Sequence, residues 1–549
     1  MARQHARFLG SARLIAICTL FSRVTGLARD IVMNSIYGQG WVQDAFNYGF
    51  LIPNLFRRLF GEGALAAVFV PVFTDVLTTD GKARAWVLLG RIAGLMVLVL
   101  SVLLIVVELG TLVVYWGSDG GGAMRSLQIS LTALMGPFMV GVCLVALFSS
   151  ILHCLQHFTT PALLPIVLNI MLIIGATVVG PLFGASLERQ VYGVGLCVIA
   201  ASVIQLSLIL PVLRRQGVSF RLSLDRDDPD IRRIGRMFLP VLLGQGVLLF
   251  NVFFDAQICT MLTRGPGDPA AFSVLGYELA YPLQRGALSA VTNAQRLYQF
   301  PLGVLAISLA TAAFPTFSLY ATQKDMPRLR SAISQSLRLA IFVGLPSGLI
   351  LLILGRPIVS LLFEHGRFGP TESLRAANVL RWYGLGMTAF FCQHILLRGF
   401  YCLKDTLTPM RISCWLVGLN IVLNVTLIWH PAIREAAFGI STSITSFLHV
   451  GISVWLLRRR LGGRMGASVI AMSAIQTVVA TAAAGLAAWG LSGWVMGLDL
   501  ARLGHTVAAA VHVFVPLAAA VGLFLLVAMV LRMKEPGWML TRRKPAGSS

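Results

Sequence analysis

Charge is scarce in this sequence, and negative charge is the scarcest part of it. Only 12% of the 549 residues are Asp, Glu, Lys or Arg, about half the usual share of roughly 25% in a soluble domain. With a hydrophobic fraction of 57% and a mean hydropathy of +0.80, this excludes the chain of soluble domains that the length would otherwise suggest. The sequence has no G-x-x-x-x-G-K-[ST], which excludes ATP hydrolysis through a P-loop. Its eight cysteines form no C-x-x-C and lie in apolar segments or at their inner edges, which argues against a disulfide framework. Lysine is nearly missing: five of the 44 basic residues are Lys, and the 44 face 22 acids for a net charge of +22.

What is present is a series of apolar stretches, at 8–37, 41–79, 86–115, 126–154, 161–183, 190–213, 235–262, 273–319, 331–354, 374–402, 409–430, 436–457, 466–490 and 506–531. A span needs about 20 apolar residues to cross a core of roughly 30 Å, so the expected fold is an all-α polytopic membrane protein of about 14 transmembrane helices. The N-terminus, the loops near 80–85, 214–236, 321–330, 404–411 and 458–464, and the C-terminal tail hold about 25 Lys and Arg, and the alternate loops hold far fewer. The positive-inside rule then places both termini in the cytoplasm.

The stretch 214–236 is the longest polar run and lies midway. Repeated sequence flanks it. Cys154-Leu155 with Thr160-Pro161 and Cys402-Leu403 with Thr408-Pro409 share their spacing, 248 residues apart, and each precedes an apolar run holding Leu-Asn-Ile, at 168–170 and 419–421. Phe69-Val70-Pro71 and Phe314-Pro315 form a weaker echo, 244 residues apart from Pro to Pro. Six spans per repeat is an even number, so the expectation is two parallel six-helix lobes related by a pseudo-two-fold along the membrane normal, a transporter architecture. The corresponding divisions are 1–215 (first lobe), 216–234 (cytoplasmic linker), 235–460 (second lobe), 461–535 (two further helices) and 536–549 (cytoplasmic tail).

Two segments are too long to cross straight. Residues 41–79 would extend about 58 Å as a helix and 273–319 about 70 Å, so each is expected to bend or break. Pro53, Gly61-Glu62-Gly63 and Pro71 punctuate the first, and Pro282, Gly286, Pro301, Gly303 and Pro315 the second. Interrupted spans at corresponding places in two repeats point to a transporter site. Charges cluster beside them: Arg23, Arg29 and Asp30 on the first segment, Asp44, Arg57, Arg58 and Glu62 on the second, Arg296 on the eighth. An Arg at the bilayer centre costs about 2.5–3.5 kcal/mol on insertion scales, so these side chains are expected to face one another or a wet cavity. Pairing of Arg58 with Glu62, or of Arg29 or Asp30 with Asp44, accounts for part of the set. Five arginines against three acids leave positive charge for an anion, and guanidinium forks match phosphate.

Ser22-Arg23-Val24-Thr25-Gly26-Leu27-Ala28-Arg29-Asp30, Asp44-Ala45-Phe46, Ile52 through Ala64 (IPNLFRRLFGEGA) and Phe69-Val70-Pro71 closely resemble the MurJ (MviN) family of bacterial lipid II flippases, within the multidrug/oligosaccharidyl-lipid/polysaccharide (MOP) exporter superfamily. The resemblance continues through Arg296-Leu297-Tyr298-Gln299-Phe300-Pro301-Leu302-Gly303-Val304, Leu361 through Gly366, and Gly399-Phe400-Tyr401 with Asp405 and Thr408-Pro409. It implies a two-lobed bundle with a cationic cavity, and a groove for the lipid tail formed by the last two helices. The substrate would be undecaprenyl-diphosphate carrying a disaccharide-pentapeptide, moved to the outer leaflet of the bacterial inner membrane for peptidoglycan synthesis by alternating access, with no catalytic residue. Arg23, Arg29, Arg57 and Arg296, with Asp44 and Glu62, match the family's cavity positions; Asp30 and Arg58 are secondary candidates. Gln295 and Gln299 stand where many relatives carry acids, which leaves the cavity more positive here.

The resemblance also raises sodium coupling, for which Asp255, Asn420 and Asn424 offer oxygens. Asn420 and Asn424 share a helix face, and interhelical hydrogen bonding is the other use for them. Proton coupling and membrane potential, worth about 2.3 kcal/mol per charge per 100 mV, are the other drivers. Partners beyond lipid II would be peptidoglycan synthesis and division machinery, with no nucleic acid. His153 and His157 lack the Glu of H-E-x-x-H, and Asp225 to Asp230 reads as a solvated linker rather than a Mg²⁺-diphosphate cluster. A related exporter of another polyprenyl-linked saccharide or of drugs, a membrane glycosyl- or acyltransferase, and a non-transporting scaffold are the alternatives. A drug-cation exporter calls for an acidic cavity and a transferase for a catalytic loop.

Overall fold

Lipid offers no hydrogen-bond partner to a bare backbone, so apolar runs of this length satisfy their own amides as helices. A computed structural model describes residues 2–61, 64–117, 122–225, 228–274, 276–463, 465–498 and 504–540. In chain order the helices are α1 (Ala2–Tyr37), α2 (Trp41–Gly61), α3 (Ala64–Thr79), α4 (Gly81–Gly117), α5 (Ala123–Met135), α6 (Phe138–Cys154), α7 (Thr159–Ile174), α8 (Gly180–Leu182), α9 (Leu187–Arg215) and α10 (Pro229–Met261). A hairpin of β1 (Ala271–Val274) and β2 (Tyr277–Ala280) intervenes. Then come α11 (Ala287–Pro301), α12 (Ile307–Thr322), α13 (Met326–Phe363), α14 (Pro370–Cys402), α15 (Leu407–Leu427), α16 (Ala437–Arg460), α17 (Ala467–Met496), α18 (His505–Val530) and the short α19 (Glu535–Leu540).

Among the described residues nine helices are long and apolar enough to cross a membrane, or ten if the bent pair α5 and α6 is one span. The fourteen expected segments exceed that number. Helices α1, α2, α3, α10 and α14 stand outside it: α2 carries Asp44, Arg57 and Arg58 around an internal proline, and α3 has 16 residues.

The two overlong segments resolve differently. Residues 41–79 divide into α2 and α3, on either side of Glu62 and Gly63, which lie outside the described residues. Residues 273–319 are not one helix. The apolar run at its start is hairpin, with Phe272 opposite Leu279, and the chain turns at Gly286 before α11 begins. Within the remaining helix the turn Leu302–Ala306 widens to π geometry directly after Pro301, where the ring denies the backbone a donor and crowds the preceding turn.

Packing groups the chain into two compact units, Met1–Ser289 with His365–Phe368, and Ala290–Glu364 with Gly369–Ser549. The repeat in the sequence divides the chain at 216–234, whereas α10 packs on α2 and α3 in the first unit. That unit's core is built from α2, α3, α4, α5, α6 and α9, with Phe69, Phe73, Leu88, Leu89 and Phe138 fully buried. In the second unit α13 and α14 cross at Gly348 and Gly384. A Cβ on Gly348 would stand 2.3 Å from the Gly384 carbonyl oxygen, so the missing side chains permit the close approach.

The repeat is visible in the backbone. α6 and α14 end in the same left-handed turn, with Gln156 at φ 58° and Lys404 at φ 59°, and the His157 and Asp405 amides reach back to the Leu152 and Phe400 carbonyls. A further echo escaped the sequence reading: Leu213-Arg214-Arg215 and Leu457-Arg458-Arg459 close α9 and α16, each followed by a positive-φ glycine, Gly217 and Gly462.

Candidate functional site

The densest polar cluster in the first unit joins α1 to α7. Ser22, Thr25, Gly26 and Arg29 recur at i, i+3, i+4 and i+7, one face of a helix, and Asn169 of α7 hydrogen-bonds Ser22, Thr25 and Arg29. Its Nδ2 donates to the Ser22 carbonyl oxygen (3.3 Å) and to Thr25 Oγ1 (3.2 Å), and its Oδ1 accepts from Arg29 Nη1 (3.0 Å). A Cβ on Gly26 would rest 3.5 Å from Asn169 Nδ2, an ordinary van der Waals contact, so the approach does not depend on a glycine there. Arg29 also donates through Nε (3.0 Å) and Nη2 (2.7 Å) to Asp30 Oδ1. Arg29 and Asp30 thus pair with each other, rather than with Asp44. Asn169 was the residue the sequence reading missed; the signal was an Asn inside an apolar run, already noted as part of the repeat.

Asp44 has a different task. It is fully buried, and its Oδ2 accepts from the Gly286 amide (2.7 Å) while Oδ1 accepts from the Ser289 amide (2.7 Å) and hydroxyl (2.6 Å). The carboxylate caps the N-terminus of α11, where the amides have no helical partner and the helix dipole favours negative charge. Gly286 makes the approach possible. Its φ is +83°, and a Cβ there would lie 2.0 Å from the Gln39 carbonyl oxygen.

Arg57 donates from Nε to Asn54 Oδ1 (2.9 Å) one turn earlier on α2, and Arg58 is half-buried beside it. Glu62, expected to pair with Arg58, lies outside the described residues. Arg23 is exposed on α1 and engages no acid among the described residues. In the second unit, Arg296 and Gln299 are exposed on α11, while Gln295 turns inward and donates to Tyr383 Oη (3.2 Å). The Tyr383 ring stacks on Tyr298 at 4.6 Å.

The proposed cation ligands hydrogen-bond to neighbouring side chains. Asn424 donates to Asn420 Oδ1 (3.0 Å), Asn420 to Ser441 Oγ (3.2 Å), and Ser441 to Asn424 Oδ1. The three side chains form a closed ring between α15 and α16. Asp255, in the first unit, accepts from Asn251 Nδ2 (3.2 Å). His153 stacks on Phe158 and His157 bonds Thr160. Among the described residues of the linker, Asp225, Asp228 and Asp230 are engaged by arginines of α4. Asp228 is buried and held by Arg84 (2.8 Å) and Arg91, and Arg91 also takes Asp225 (2.6 Å). Burial alone would raise the Asp228 pKa, but the hydrogen bonds from both arginines overcome it and hold the carboxyl below its ordinary range.

Helices α13, α17 and α18 of the second unit enclose an apolar cavity of about 300 Å³, lined among others by Phe342, Ile353, Ala484, Gly485 and Phe524. A chain of bilayer-length helices in two units, with arginines among them and an apolar cavity beside the last two, is a multi-pass membrane protein, and its fold is that of solved transporters of the MOP superfamily. The solved inward-facing structure of a multidrug resistance MATE family transporter of that superfamily covers 81% of this chain and 98% of its own, with a TM-score of 0.61 at 13% identity. A solved lipid II flippase MurJ in an inward closed conformation covers 94% and 98%, with a TM-score of 0.72 at 19% identity.

The family model for lipid II flippase MurJ matches residues 33–502. A probable lipid II flippase MurJ of Bdellovibrio bacteriovorus is 30% identical over 489 residues, 87% of each chain. The chain belongs to the MurJ family.

Proposed function

We propose that this protein flips lipid II from the inner to the outer leaflet of the bacterial cytoplasmic membrane by alternating access, catalysing no covalent step. The observation that carries this reading is the family match over residues 33–502, and the local chemistry supports it. The substrate's diphosphate needs cations that stay ionised away from water, which guanidinium does. Arg23, Arg29, Arg57 and Arg296 serve that role. Asp30 and Asn169 orient Arg29, and Asn54 orients Arg57. Asp44, with its carboxylate committed to the start of α11, positions that helix.

The apolar cavity of α13, α17 and α18 takes one stretch of the polyprenyl tail. The excess of basic residues in alternate loops orients both termini, the linker and the tail toward the cytoplasm. Transport is driven by sodium, by protons or by membrane potential. For sodium at Asn420 and Asn424, the ligands are amide oxygens that already accept hydrogen bonds within a closed ring.

The test is complementation of a flippase-depleted bacterium. Arg57→Ala and Arg296→Ala are expected to abolish growth at normal protein level and to stop labelled lipid II from reaching the outer leaflet. Full growth rejects the residue assignment; normal lipid II exposure after acute depletion, in a strain with no second flippase, rejects the function.

A further inference from the structure

The linker between α9 and α10 carries positive charge that the transport reading does not use. Residues 218–225 run extended across α4, where the Ser223 amide donates to the Gly90 carbonyl oxygen (3.2 Å). A Cβ on Gly90 would stand 2.1 Å from the Arg221 carbonyl oxygen, and one on Gly94 2.4 Å from that of Ser223. The linker is therefore seated, and Leu222 and Leu224, alternating with the residues in contact, stay 60% and 56% exposed.

Helix α10 follows with two faces. Ile231 and Ile234 are buried and Phe238 packs on the core. Arg232, Arg233 and Arg236 are exposed and, with Pro229 and Met237, line a cleft of about 420 Å³. The neighbouring acids are largely committed elsewhere: Arg84 engages Asp228 and Asp230, and Arg91 engages Asp225 and Asp228. Asp75 pairs with Arg233 at 3.1 Å with both side chains about half exposed, a contact that solvent screens strongly. Arg236 meets no acid among the described residues. Among the described residues, the three arginines of the cleft thus outnumber the one half-exposed acid, Asp75, that pairs with them.

We propose that this cleft binds the phosphate headgroup of an anionic phospholipid through Arg232, Arg233 and Arg236, with Leu222 and Leu224 entering the adjoining acyl region. Guanidinium forks fit phosphate oxygens in pairs. Exposed apolar side chains next to a basic cluster are the composition of an interfacial anchor, and anionic lipid draws such clusters. The assignment rests on the orientation proposed above, which puts the linker at the cytoplasmic surface. Anchoring there would hold the start of α10 at a fixed depth.

The full-length protein is placed in phosphatidylcholine nanodiscs doped with phosphatidylglycerol, and retained lipid is measured by native mass spectrometry after detergent exchange. The triple variant R232Q/R233Q/R236Q is expected to hold phosphatidylglycerol at least about tenfold more weakly. The lysine triple variant R232K/R233K/R236K, which keeps the charge, is expected to fall between. Equal retention by wild type and the glutamine variant overturns the proposal. Displacement of the lipid by an equal concentration of inorganic phosphate overturns the lipid source and leaves a free-phosphate site. No lipid II is present in this measurement, so its outcome is independent of the flipping assay on Arg57 and Arg296.

Discussion

Two asparagines from the same repeated Leu-Asn-Ile sit in opposite electrical surroundings. Asn169 ties α7 to α1 and shares its oxygen with Arg29, itself paired to Asp30. Asn420 ties α15 to α16 through a neutral ring with Asn424 and Ser441. Measured from Pro161 and Pro409 the two differ by three residues, close to one helical turn, so each stays on a comparable face. Both units carry a buried interhelical amide at this echo: Asn169 holds a guanidinium, and Asn420 bonds the neutral side chains of Asn424 and Ser441.

The largest expected effect comes from breaking the charged hub. Arg29→Ala removes the guanidinium bonds to Asp30 and to the Asn169 oxygen, and removing one member of a desolvated ion pair costs about 3–5 kcal/mol when burial is complete. With both side chains slightly exposed, a smaller loss in unfolding free energy is expected, together with loss of complementation. Asn420→Ala, in the neutral ring, is expected to cost about 1–3 kcal/mol while growth persists. Loss of growth in both variants at normal protein level ends the distinction between the hubs.

Asp44→Ala asks how far the electrostatic design of the first unit extends. Three donors at the start of α11 lose their acceptor, and removing an N-cap costs about 0.5–2 kcal/mol. Thermal unfolding of the purified protein measures it. Asp44→Asn keeps one acceptor and is expected to recover part of the loss; an Asn variant as unstable as the Ala variant shows that charge, rather than hydrogen bonding, holds α11.

The smallest effect concerns the linker. The Asp228 carboxyl is held below the ordinary carboxylate value because its arginine hydrogen bonds outweigh burial. Its contribution to docking is therefore complete above the ordinary value of about 3.9 and lost only as pH falls through its own lower value. Limited proteolysis within 218–225 is expected to stay slow at mildly acid pH and to accelerate in strong acid. Asp228→Asn is expected to accelerate it already at neutral pH, and an unchanged rate would show that the Gly90 and Gly94 contacts seat the linker unaided.

Much of this molecule was legible in its sequence, unevenly. The helices were readable because long apolar runs in lipid have few other structures available. The break within 41–79 was readable from its glycines. The hairpin was not, because Phe272, Val274 and Leu279 continue the apolar run and hydropathy does not register a change of backbone geometry. The arginines stood out by their cost in a bilayer, but their partners did not. Asp44 meets its donors 242 and 245 residues later, and Arg29 meets Asn169 across 140. Asp228 looked like one charge in a polar run, with nothing local to show that Arg84 and Arg91 bury it.

What the sequence determined by itself was the solvent and the inventory: a chain too apolar for water, with basic loops and a few arginines too costly to leave facing lipid. Tertiary structure alone decided the use of each polar group. Asp44 became a helix cap, Asn169 an arginine clamp and Asn420 a corner of a neutral ring. The reason is physical: hydropathy is a property of each residue, whereas a hydrogen bond belongs to two residues that only folding brings within 3 Å or so of each other.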